Sequence, residues 1–167
     1  PFATVTPPAP HERTGDRHLT ELRVRDLRVH LDETDQVHGI DLDVRRGQFV
    51  VITGPVGSGK SVLLRALLGL VPRSGGSIWW NGEEIDDPAT FLVPPRAAYL
   101  PQVPRLFSEP LADTVLLGHD PAGLADAIDR ARLGEDLAAM PQGLDTTVGP
   151  KGVRLSGGQI QRTAAAR

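Results

Sequence analysis

FVVITGPVGSGKSVLLRALLGL, residues 49–70, runs through three textures in one line. FVVIT (49–53) is a continuous apolar run, the composition of a strand buried on both faces. GPVGSGKS (54–61) interrupts it with three glycines, and SVLLRALLGL (61–70) reads as a helix. The middle stretch matches G-x-x-x-x-G-K-[S/T] at every defined position, so the line predicts a strand, a phosphate-wrapping loop and a helix.

Each part of that pattern has a chemical reason. Backbone N–H groups must turn inward around phosphate oxygens, and side chains would obstruct them, hence Gly54, Gly57 and Gly59. Lys60 supplies a compact positive charge for the outer phosphates. Ser61 offers a small hard oxygen suited to Mg²⁺, and the helix that starts here adds its positive dipole end. The predicted nucleotide-binding segment is Gly54, Pro55, Val56, Gly57, Ser58, Gly59, Lys60 and Ser61. The chain has only two lysines, Lys60 and Lys151, and one stands where the motif needs it.

The totals narrow the class. A length of 167 residues suits one domain able to bury a core without staples, and 40% hydrophobic with 23% charged is ordinary globular composition. No cysteine is present, which excludes disulfides and thiolate metal sites. Net charge is −3 with no block of like charges, so a strongly basic footprint is missing and no nucleic-acid partner is expected. The longest apolar runs fall far below the roughly 20 residues that span a bilayer. No signal-peptide pattern is found. Met140 is the only methionine, so the sequence as given does not open on an initiator.

Outward from the loop, residues 1–18 are proline-rich and without hydrophobic period, a linker or extended arm. LRVRDLRVHL (22–31) and GIDLDV (39–44) alternate apolar and polar, as half-buried antiparallel strands do. SIWW (77–80), the Asn81-Gly82 pair and EEI (83–85) predict a hairpin. AAYL (97–100) is a further strand candidate, whereas 111–118 and 122–133 have helical character. A Gly/Pro-rich loop (141–154) leads to LSGGQIQRTAAAR (155–167).

That last stretch poses its own problem. Ser156 can cap a helix, but Gly157 and Gly158 weaken its first turn. The glycines make sense where something approaches the backbone closely, and what comes to a helix N-terminus is usually an anion. A plain capped helix with a pliable start is the competing reading.

Taken together, GPVGSGKS, YLPQ (99–102) and LSGGQIQR (155–162) resemble the nucleotide-binding domain of ATP-binding-cassette (ABC) transporters, over about residues 21–167. PQVPRLFSEPLADTVLLG (101–118) and MPQGLDTTVGPKGVRLSGGQ (140–159) are similar to the exporter branch, in which this domain follows a membrane domain on one chain. The resemblance implies an α/β fold: a P-loop NTPase core with an antiparallel β-subdomain and an α-helical subdomain at about 103–160. Residues 19–167 would then be a partial domain, truncated before the strand known as Walker B. It implies ATP and Mg²⁺ as cofactors, Lys60 and Gln102 as catalytic residues, and Ser61 and Gln102 as metal contacts. It also implies a head-to-tail pair, homodimer or heterodimer, with a second nucleotide-binding domain. In that pair Leu155, Ser156, Gly157, Gly158 and Gln159 hold the γ-phosphate of the partner's ATP. A transmembrane domain completes the machine, which places the intact protein at the cytoplasmic face of a membrane.

The chain departs from the family pattern in three places. His30 and Leu31 stand where an aromatic ring usually stacks on adenine. Thr147 and Pro150 stand where exporters often carry acidic residues. The second Mg²⁺-binding aspartate and the catalytic glutamate belong beyond Arg167, so the 167 residues alone are expected not to turn over ATP. Two other readings stay open: a soluble cassette ATPase without a membrane partner, and an assembly module that binds nucleotide without hydrolysis.

Overall fold

A computed structural model describes residues 18–31 and 34–167, so the proline-rich arm lies outside the described residues except for His18. The chain divides into two units at Ala98/Tyr99.

The first unit is built on a four-stranded antiparallel sheet in the order β2-β1-β3-β4. Its strands are β1 (Glu21–Leu31), β2 (Thr34–Arg45), β3 (Gly75–Trp80) and β4 (Glu83–Glu84). In β1 the apolar phase slips: Val24 is buried, and so are Leu27 and Val29, which stand on the other parity. The structure absorbs the slip with an irregularity between Val24 and Leu27, where Asp26 takes a left-handed φ of 49°. One extra residue there returns both halves of the strand to the same buried face. Opposite it stands Gly76 at φ 89°, whose Cβ, if it had one, would strike the backbone of Asp26 and Leu27. The Asn81-Gly82 turn takes left-handed φ at both residues (54° and 88°), as a two-residue hairpin requires. The Asn81 Oδ1 also accepts from the Thr20 N–H and hydroxyl, both at 2.7 Å, tying the hairpin to the start of β1.

Helix α1 (Lys60–Leu67) turns Leu63, Ala66 and Leu67 into one cluster with Val24, Val29 and Ile78. A short α2 (Pro88–Phe91) follows the sheet, started by the Asp87 side chain accepting from the Ala89 N–H at 3.1 Å. Trp80 packs edge-on against Phe91 at 5.8 Å between ring centres.

Two strand expectations fail. Residues 49–53 and 97–100 form no strand, and Phe49 is 90% and Val51 65% exposed. The physical reason is pairing. An apolar run becomes a buried strand only when neighbouring strands take up its backbone N–H and C=O groups on both sides. No described strand pairs with either segment. Composition reported what FVVIT is suited to, and pairing decides whether it happens.

The second unit is helical. It contains α3 (Leu111–Leu116), α4 (Leu124–Arg130), α5 (Gly134–Ala138) and α6 (Gly157–Ala165), with 3₁₀ turns at 121–123 and 143–145. Leu111, Val115, Ile128, Leu133, Val148 and Leu155 form its core. The 141–154 stretch, expected as a loop, is held in place by short bridges. Thr147 pairs with Pro110 and Val148 with Val153, and the Val148 N–H donates to the Glu109 carbonyl at 3.0 Å. The loop therefore delivers Leu155, buried at the core, to the start of α6 in one position.

Candidate functional site

In the first unit, GPVGSGKS forms a closed loop at the head of α1. Gly54, Gly57 and Gly59 have φ of 153°, 84° and 82°, values that side chains rarely tolerate. Gly59 is required twice over, because a Cβ there would also run into the Gln36 carbonyl oxygen of β2. Gly57 faces open space. The Lys60 ammonium donates to the Gly54 carbonyl at 2.9 Å, the Pro55 carbonyl at 2.6 Å and the Ser58 hydroxyl at 3.3 Å. An ammonium has three N–H donors, and all three are used on the loop's own oxygens.

The start of α1 is left open to an anion. No side chain caps it and no acidic residue lies in its first turn, so the helix's own residues do not offset its positive end. Ser61, its second residue, is exposed. Val56 stands fully exposed at the loop tip. Close behind, the Gln36–Val37 stretch that touches Gly59 belongs to the same end of the β1–β2 pair as His30, exposed on β1, and Leu31. The loop, the lysine and the bare helix end thus meet in one place. Their chemistry suits a chain of phosphates.

The second unit holds the other predicted residues, and here the helix start is arranged differently. Ser156 caps α6 in a complete capping box: its hydroxyl accepts from the Gln159 N–H at 3.3 Å, and its N–H donates to the Gln159 Oε1 at 2.8 Å. Among the described residues, nothing demands a glycine at 157, and only Arg162 crowds the space at 158. Gly157 and Gly158 have no left-handed φ; a Cβ on Gly157 would meet nothing within 4 Å, and one on Gly158 only the flexible end of Arg162 at 3.3 Å. A β-carbon at 157 would fit and would favour the helix. The capped-helix reading therefore accounts for Ser156 and leaves the glycine pair unexplained.

Gln102 lies in a loop rather than at the end of a strand, with its side chain exposed. Its carbonyl accepts from the Gln161 Nε2 of α6 at 2.5 Å, so the residue is moored to the helix that carries the glycine pair. Sequence reasoning missed that mooring and a second one. The Asp136 carboxylate of α5 accepts from the Arg162 Nε at 2.8 Å and Nη2 at 3.0 Å, and from the Gln159 Nε2 at 3.2 Å. No spacing rule joins an aspartate in GEDLA to residues more than twenty positions on. Both moorings arise from tertiary packing alone. Thr163, fully buried, returns its hydroxyl to the Gln159 carbonyl at 2.8 Å and completes the hold on α6.

Among the described residues no helix is long and apolar enough to cross a membrane, and no three His, Cys, Asp or Glu side chains gather as metal ligands.

With loop and capped helix in view, comparison with known proteins identifies the class. The family model described as ABC transporter matches residues 37–167. This chain belongs to the ABC transporter family and has the fold of its ATPase domain. It is 39% identical over 137 residues to a probable multidrug resistance ABC transporter ATP-binding/permease protein of Bacillus subtilis, covering 80% of this chain and 23% of that protein. It is 38% identical over 174 residues to an ATP-dependent lipid A-core flippase of Burkholderia orbicola, covering 99% of this chain and 29% of the flippase. The structure of a bacterial Atm1-family ABC exporter with ATP bound aligns at a TM-score of 0.78 and 30% identity, over 96% of this chain and 29% of that one. The chain thus spans between a fifth and a third of the length of these relatives.

Proposed function

We propose that this chain is the ATP-binding domain of an exporter, in which ATP binding and hydrolysis drive a substrate across a membrane from its cytoplasmic face. Two domains pair head to tail, each phosphate loop facing the other's Ser156–Gly158 turn, and a transmembrane domain supplies the path. The observation that carries this reading is the glycine pair at 157 and 158: among the described residues, a Cβ at 157 would meet nothing within 4 Å and one at 158 only the Arg162 guanidinium.

The chain's own groups divide the work. Lys60 leaves its loop carbonyls for the β- and γ-phosphates, exchanging neutral acceptors for charged ones. The uncapped start of α1 and the N–H groups opened by Gly57 and Gly59 hold the remaining oxygens. Ser61 would hold Mg²⁺, which when bound offsets charge on the phosphates. From the second copy, Ser156, Gly157 and Gly158 present amides and a helix dipole to the γ-phosphate, with Leu155 anchoring the turn and Gln159 closing its cap. Only a triphosphate is long enough to reach both, so pairing holds before hydrolysis and loosens after it. That differential contact couples the chemical step to motion. Orienting the attacking water needs a further group. The family pattern assigns that role to a carboxylate on a further strand.

The test uses the absence of cysteine from the chain. In the intact exporter, with any cysteine outside these residues replaced, Val56→Cys on one domain and Arg154→Cys on the other should crosslink with ATP under non-hydrolysing conditions and not with ADP. Equal crosslinking with both, or none with either, would sink the head-to-tail reading.

A further inference from the structure

Resting on that reading, we infer that Asp136 is a positioning residue for the phosphate-facing turn, acting through the side-chain amide of Gln159. A primary amide has two ends, and nothing in its shape decides which way it points. The Gln159 Nε2 donates to the Asp136 Oδ1 at 3.2 Å, which turns the other end, Oε1, onto the Ser156 N–H at 2.8 Å. Ionised Asp136 has only acceptors, so it admits one orientation of that amide. With the amide fixed, the capping box closes. The Ser156 hydroxyl then receives the Gln159 N–H, which leaves its own O–H available as a donor.

Asp136 is itself held by Arg162, one turn beyond Gln159 on α6, through both carboxylate oxygens (2.8 and 3.0 Å). Its side chain is 15% exposed, and that of Arg162 40%. The carboxylate therefore does two separable things. It ties α5 to α6 through the guanidinium, and it sets the polarity of the Gln159–Ser156 cap. A helix tie needs opposite charges in either order, whereas the cap needs an acceptor at position 136.

The two roles part in a pair of variants of the intact exporter. Exchanging the charges, Asp136→Arg with Arg162→Asp, preserves the tie but puts donors against Gln159, drawing its Oε1 away from Ser156. Asp136→Asn keeps an oxygen for the Gln159 Nε2 and loses the ionic tie. Three readouts are taken: thermal unfolding, affinity of the phosphate loop for a fluorescent ATP analogue, and ATP-driven crosslinking of Val56→Cys to Arg154→Cys. For the exchange we expect unfolding near wild type, unchanged nucleotide affinity, and crosslinking at limiting ATP reduced by about fivefold to tenfold, the size of a lost cap. For Asp136→Asn we expect a lower unfolding temperature with crosslinking near wild type. The opposite pattern, with the exchange crosslinking normally and Asp136→Asn failing, would reduce Asp136 to a helix tie and overturn the inference. Ser156→Ala separates this from the reading beneath it. If Ser156→Ala crosslinks like wild type, the turn does not face the phosphate and both ideas fall. If it weakens while the charge exchange does not, only the role of Asp136 falls.

Discussion

The Lys60 ammonium lies 2.6 Å from the carbonyl oxygen of Pro55, five residues earlier in its own loop. On the proposed reading, the lysine that receives phosphates also closes the loop that wraps them. Nucleotide must exchange these contacts for stronger, charge-assisted ones.

Lys60→Ala should weaken MgATP binding by about one to two orders of magnitude, the worth of a charged hydrogen-bond set. Isothermal titration of the domain checks it. Unaltered affinity would mean that the ammonium stays on its carbonyls when nucleotide binds.

Gly59→Ala and Gly57→Ala offer a matched pair. Both residues have φ above 80°, but a Cβ at 59 meets the Gln36 carbonyl oxygen and one at 57 meets nothing. Denaturant unfolding should show a loss of about 1–2 kcal/mol for Gly57→Ala, from φ alone. Gly59→Ala should lose about 2–4 kcal/mol, since backbone must also move.

Gly157→Ala should separate folding from function. A Cβ there has free space and a compatible backbone, so unfolding should become harder by about 0.4–1 kcal/mol. ATP-driven crosslinking between paired domains should nevertheless fall. A variant that gains stability and keeps full crosslinking would leave the glycine without a purpose.

One pH dependence follows from the sheet. Arg25 grips Asp43 through both oxygens, at 2.7 and 2.9 Å, and these hydrogen bonds, with the nearby positive charge, hold the Asp43 carboxyl below its usual range. Its folded pKa is thus lower than its unfolded one, so its stabilising share is fully present above the unfolded value of 3.8 and disappears as pH falls through the folded value. The unfolding temperature of wild type should exceed that of Asp43→Asn at neutral pH by a small margin, because the pair faces water. The margin should close in acid below that range. A margin that grows in acid would contradict the sign.

Much of the fold could be read before any coordinates, for local reasons. Alternation in β1 and β2, the Asn81-Gly82 turn and the spacing in 122–133 are written within a few residues of where they act, whereas the irregularity at Asp26 came only from the structure. GPVGSGKS was legible because phosphate wrapping is done by backbone, and glycine is the residue that frees backbone. LSGGQ was half legible. Its cap could be predicted from Ser156, but that only Arg162, among the described residues, crowds its glycines needed the space around them.

What local pattern could not supply is pairing across distance. FVVIT has a strand's composition, yet hydrogen bonding between strands is long-range, and no described strand meets it. The hold of Asp136 on Arg162 and Gln159, and of Gln161 on the Gln102 carbonyl, joins residues more than twenty positions apart whose types are unremarkable. Residue type and spacing state which chemistry a segment can perform. Which neighbours fix its side chains in the performing orientation depends on how distant helices pack, because a hydrogen bond reaches about 3 Å and carries no memory of sequence separation.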